Sequence, residues 1–144
     1  MGRLLGCDYG RVRIGISHSD ERKLFASPLK VFKKQKRLES TFADIKAVTL
    51  SLSPFEGVVV GLPLLLNGQE GEMAKEAKIF GQKLALYLNI PCIFWDERLS
   101  SSQADRLLRE DNLSRKERSA FSDTLAATLI LQNYLDFISI RKPI

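Results

Sequence analysis

Three carboxylates in this 144-residue chain stand where buried elements end or turn inward. Asp8 closes a short apolar run that begins at Arg3, and Asp96 with Glu97 closes another that begins at Pro91. Asp123 heads a row of Ala126, Ala127, Ile130 and Tyr134 at i, i+3, i+4 spacing, so its side chain is expected to face the core. A charge in such a position is costly unless a cation or a metal accompanies it. Three inward acids on separate elements make an oxygen-only site suited to Mg²⁺ or Mn²⁺, ions that keep several waters and bridge to phosphates. Hydrolysis of a phosphodiester is the chemistry such a site supports, with two ions about 3.5 to 4 Å apart serving the attacking water and the leaving oxygen. The candidate catalytic and metal-ligating residues are therefore Asp8, Glu97 and Asp123. Asp96 is the alternative to Glu97, because adjacent strand residues face opposite ways.

Other chemistries find little material. There is no GxSxG elbow, Cys7 and Cys92 both lie inside apolar runs, and the single His18 excludes any site that needs two histidines. The segment Gly61-Leu62-Pro63 with Asn67-Gly68 could receive a phosphate on backbone N–H groups, but it lacks the GK[ST] ending of a P-loop and reads equally well as a set of sharp turns. Each acid also has a structural reading: Asp8 as a turn residue before Gly10, Asp123 as an acid in a helix's first turn, Glu97 as a surface partner of Arg98 or Arg13.

Charge is distributed unevenly. Residues 1–37 hold ten Lys and Arg against three acids, while the remainder holds twelve against fourteen, within a net charge of +5. Lys30, Lys33, Lys34, Lys36 and Arg37 form the densest part, a run that can contact a polyanion through its phosphates or serve as a solubilising edge. Arg11, Arg13 and Arg98 flank the acids, so the residues expected to touch nucleic acid are Arg11, Arg13, Lys33, Lys34 and Arg98. With 44% apolar and 27% charged residues the chain has a globular balance. It shows no apolar leader and no stretch of membrane-spanning length, which predicts a cytoplasmic protein with reduced cysteines.

The elements that would position the acids follow from periodicity. Arg3 to Asp8, then Val12, Ile14 and Ile16 alternating with Arg13, Gly15 and Ser17, then Leu24 to Phe32, predict an antiparallel meander with a turn over Ser19 to Arg22. Leu38, Phe42, Ile45, Val48 and Leu52 recur at helical spacing up to Ser53-Pro54. Gly57 to Leu62 predicts a strand buried on both faces. Met73, Ala77, Phe80, Leu84 and Leu88 predict a second helix, and Pro91 to Trp95 a last strand. Strand, helix, strand implies a parallel right-handed crossover. Beyond it, helices are expected over Ser101 to Glu110 and, capped by Ser114 and Glu117, on to about Ile138. One α/β domain over residues 1–144 results: a mixed five-stranded sheet, three strands antiparallel and two parallel, flanked by helices.

That order of elements is the order of an RNase H-like fold, and four segments carry a closer likeness. GCDYGRVRIGISHSD from Gly6, VVVGLPLLLNGQEGEMA from Val58, DERLSS from Asp96 and SDTLAATLILQNYLD from Ser122 resemble the YqgF family, also called RuvX or Holliday-junction-resolvase-like. The likeness spans nearly the whole chain in order. It implies an RNase H-like nuclease of the bacterial cytoplasm, dependent on a divalent metal, that trims the 5′ end of precursor 16S ribosomal RNA in ribosome biogenesis. Its alternatives are a resolvase acting on DNA Holliday junctions and a non-catalytic factor that binds nucleic acid or the ribosome. The family's acidic positions fall on Asp8, Glu97 and Asp123. Leu99, Ser100 and Ser101 stand where the family commonly has threonines, and Ser17-His18-Ser19 where a small apolar residue would often precede Ser-Asp.

Overall fold

The computed structural model describes the backbone of residues 2–96 and 115–141 and the side chains of residues 2–96 and 124–139. In chain order the elements are β1 (Arg3–Asp8), β2 (Arg13–Ser19), β3 (Ala26–Lys33), α1 (Leu38–Thr49) continued by a 3₁₀ turn (Leu50–Leu52), β4 (Phe55–Leu62), α2 (Glu72–Leu88), β5 (Cys92–Asp96) and α3 (Arg115–Arg141). They build one five-stranded sheet in the order β3-β2-β1-β4-β5. The first three strands pair antiparallel, and β4 and β5 extend the sheet in parallel from β1. The expected fold class is therefore observed, with β4 between the two strands that end in acids. The helix expected over Ser101 to Glu110 and the cap at Ser114 lie outside the described residues.

Side-chain alternation divides the sheet into two apolar faces. On one, Leu5, Cys7, Ile14, Ile16, Val58 and Val60 pack under α1 and α2 through Phe42, Ile45, Phe80 and Leu84. On the other, Leu4 and Val59, with Ile93 and Trp95, lie under α3 through Ile130, Leu131 and Leu135. Leu131 and Leu135 widen the stripe expected from Ala126, Ala127, Ile130 and Tyr134, since a helix crossing the middle of a sheet buries more than a narrow seam. Each fully buried residue such as Phe80 or Leu131 contributes roughly 1.5–3 kcal/mol of transfer free energy.

Two departures from the expected boundaries have local causes. The third strand starts at Ala26, not Leu24, because Asp20 Oδ1 accepts the N–H groups of Leu24 at 2.8 Å and Phe25 at 2.9 Å and holds both in the turn. Strand β3 also carries Pro28 opposite Ser17, next to a register shift between Ile16 and Ser17. An outer strand tolerates a residue that cannot donate to the ladder.

The backbone of β1 and helix α3 come very close at Gly6. A Cβ there would stand 2.1 Å from Ser17 Oγ, 2.8 Å from Leu131 Cβ and 2.9 Å from the Ala127 carbonyl oxygen. Ser17 Oγ donates to that same carbonyl at 2.8 Å, clamping α3 onto β2. Ser17 is thus a buried tie between helix and sheet.

Candidate active site

Asp8 is the last residue of β1 and half-buried. Its face is fixed by its strand neighbours: Leu4 packs under α3 and Gly6 meets Ala127 and Leu131, so Asp8, two residues on, belongs to the α3 face. In register it stands opposite Gly15 of β2. On its other side, one step beyond the Cys7 and Val60 pair, lies Gly61 of β4. Glycines thus occupy the neighbouring positions on both flanking strands.

The register also separates Asp96 from Asp8. Cys92 and Phe94 pack on the α2 side, where they border Gly81, while Ile93 and Trp95 pack on the α3 side. By alternation Asp96 falls on the α2 side, in register with Leu62, and it is exposed. Glu97, the next residue, lies outside the described residues, as does Arg98.

Helix α3 runs antiparallel to β1. Its Ala127 and Leu131 lie against Gly6, and one residue further along Gln132 reaches the opposite end of the sheet, accepting from the Ala26 N–H at 2.8 Å and donating to the Leu24 carbonyl at 3.0 Å. Going backward from Ala127 to Asp123 therefore moves one helical turn, about 6 Å, in the same direction as going forward from Gly6 to Asp8, about 6.6 Å. The Asp123 side chain is outside the described set. Among the described residues no three His, Cys, Asp or Glu side chains converge. Neither cysteine offers an alternative nucleophile, since Cys7 is buried and burial pushes the Cys92 thiol up to about 11.

The sheet divides the basic residues as well. Arg13 of β2 and Lys33 of β3 are register partners, both exposed, on the face that carries Asp8. Arg11 and Lys34 lie on the other side with Tyr9, whose ring packs against Phe80 at 5.0 Å. There Glu76 of α2 accepts from Arg11 Nε at 3.0 and 3.2 Å, from Arg11 Nη2 at 2.7 Å and from the Tyr9 hydroxyl at 3.3 Å. Hydrogen bonding to Arg11 holds the Glu76 carboxyl below its ordinary range and raises the guanidinium further. The pair's contribution is present above the ordinary carboxylate pKa and is lost as pH falls through the lowered one. Lys34 Nζ lies 5.4 Å from the Tyr9 ring centre. Glu76 and Tyr9 were not legible as site residues, for Glu76 is 65 positions from Arg11 and nothing in its own helix marks it.

The family model RuvX, described as Holliday junction resolvase, matches residues 2–137. The chain belongs to the RuvX family. One RuvX relative, from Protochlamydia amoebophila and provisionally named a pre-16S rRNA nuclease, is 43% identical over 139 residues, 93% of either chain. Another of that name, from Caldanaerobacter subterraneus, is 41% identical over 137 residues, 93% of this chain and 96% of its own. Among solved structures, this RuvX chain resembles Thermus thermophilus RuvC in complex with Holliday junction substrate, with a TM-score of 0.53 at 18% identity over 95% of this chain and 96% of that one. The fowlpox virus Holliday junction resolvase is similar at a TM-score of 0.56, 12% identity and 94% and 99% coverage. At such identities the likeness is one of fold, that of the RNase H-like resolvases. A RuvX chain is thus a nuclease by family, and none of its described helices is long and apolar enough to cross a membrane.

Proposed function

We propose that this chain is a divalent-metal-dependent nuclease of the cytoplasm, one domain over residues 1–144, that processes the 5′ end of precursor 16S ribosomal RNA. Asp8, Glu97 and Asp123 act as its ligands and catalytic residues. The observation that carries the reading is directional: β1 and α3 approach each other at Gly6, and the steps from there to Asp8 and to Asp123 lead to the same end of the same face. Parity supports Glu97 over Asp96 as the third acid, since Asp96 belongs to the opposite face.

The residues present suit a hard cation. Asp8 is a half-buried carboxylate flanked by two glycine positions, and all three candidate donors are oxygens, the ligand type a hard divalent ion takes. Mg²⁺ or Mn²⁺ held by Asp8, Glu97 and Asp123 would supply an activated water and neutralise the leaving oxygen. Arg13 and Lys33 flank that face and hold the phosphate backbone in place, with Arg98 following Glu97.

The names of the relatives favour ribosomal RNA over junction DNA as substrate. Cleavage of precursor 16S rRNA and of a four-way DNA junction, measured side by side with Mg²⁺ and with Mn²⁺, tests this. Metal-dependent trimming of the RNA, lost in D123N and E97Q, is expected. Cleavage of the junction alone would reverse the substrate, and binding without cleavage under either ion would reduce the chain to a nucleic-acid-binding factor.

A further inference from the structure

On the α2 side of the same sheet end, two donors and a nearby cation converge on one carboxylate. Arg11 grips both oxygens of Glu76, the Tyr9 hydroxyl reaches one of them, and Lys34 adds its positive charge from beside the Tyr9 ring. A guanidinium fork, a phenol and an ammonium around a planar anion form the donor set that receives a nucleic-acid phosphate. The cluster is open to a polyanion, with the Arg11 side chain 58% and the Glu76 side chain 33% exposed. It is also fixed in place from two sides: the Lys34 N–H donates to the Val12 carbonyl at 2.8 Å, and Tyr9 is buried against Phe80.

We propose that Tyr9, Arg11 and Lys34 form a second phosphate subsite, in which Glu76 occupies the place of the phosphate until a nucleic-acid strand displaces it. The inference rests on the nuclease reading: Tyr9 and Arg11 directly follow Asp8 at the same end of the sheet, which puts the subsite within a few residues of the candidate acid. Glu76 is then a built-in competitor. It keeps Arg11 preorganised in its fork geometry and sets a threshold that a weakly held polyanion does not pass.

Binding of a labelled single-stranded RNA by the full chain, followed by fluorescence anisotropy in EDTA over a salt series, tests the competitor directly. Freeing Arg11 in E76Q adds one phosphate contact, so log K against log salt should steepen by about 0.7, equivalent to about fivefold tighter binding near 0.1 M salt. The gain should vanish in the E76Q/R11Q double variant. E72Q removes the same charge from the same helix, where Glu72 sits 3.9 Å from Lys75, and should leave affinity nearly unchanged. E76A makes the same comparison should the glutamine variant fail to fold. If E76Q binds no tighter than the parent, if the gain survives without Arg11, or if E72Q gives an equal gain, Glu76 is not a phosphate surrogate and the subsite falls while the nuclease reading stands. If neither parent nor variants bind RNA, both readings fall together.

Discussion

The two faces of the sheet meet at the carboxyl ends of its strands with opposite designs. Toward α3 the row across β2, β1 and β4 is Gly15, Asp8 and Gly61, an acid with no side chain at its neighbouring positions. Toward α2 the ground is filled: Tyr9 packs on Phe80, and Arg11 is held by Glu76. A half-buried carboxylate with glycines at its lateral positions suits a ligand role, whereas one already gripped by arginine through both oxygens does not. Two acids within one small region thus sit among different neighbours.

The packing beneath the two faces differs as well, and glycine substitutions expose the difference. Gly6→Ala forces a methyl onto Ser17 Oγ and the backbone of α3, neither of which can yield, and should cost about 3 kcal/mol, the upper range for overpacking. Gly81→Ala meets the side chains of Val60, Phe94 and Cys92 at 2.9 to 3.2 Å. That crowding is partly offset by a gain of about 1 kcal/mol in helix propensity, so it should change stability far less. Urea denaturation of both variants checks the contrast, and equal losses would mean that α3 is not the more tightly seated helix. Ser17→Ala, which leaves the Ala127 carbonyl without its buried partner, should cost about 1–2 kcal/mol by the same measurement.

Much of this was legible from residue order. Alternation and apolar runs located the five strands, and the crossover through α2 suggested the place β4 takes between the two acid-ended strands. That Asp96 falls on the face opposite Asp8 was not legible, because facing depends on the parity of β5 against its neighbours, and a short apolar run does not reveal its parity. The start of β3 was displaced by one side chain, Asp20, whose hydrogen bonds outweigh the strand preference of Leu24 and Phe25. The basic residues read as one N-terminal group, yet a pleated sheet sends neighbours to opposite sides, so Lys33 joins Arg13 while Lys34 joins Tyr9. The Arg11 and Glu76 pair is a product of tertiary contact alone.

The claim that chemistry belongs to the α3 face is tested most directly by comparing metal-dependent RNA cleavage in two single-site variants, D8N and D96N. Both remove one carboxylate from a strand end, but Asp8 belongs to the α3 face and Asp96 to the other. D8N should lose at least about 100-fold in rate, more than the loss of a residue that merely supports a metal ligand, with D96N staying near the parent. Full activity in D8N together with loss in D96N would contradict the account and move the reaction to the opposite face.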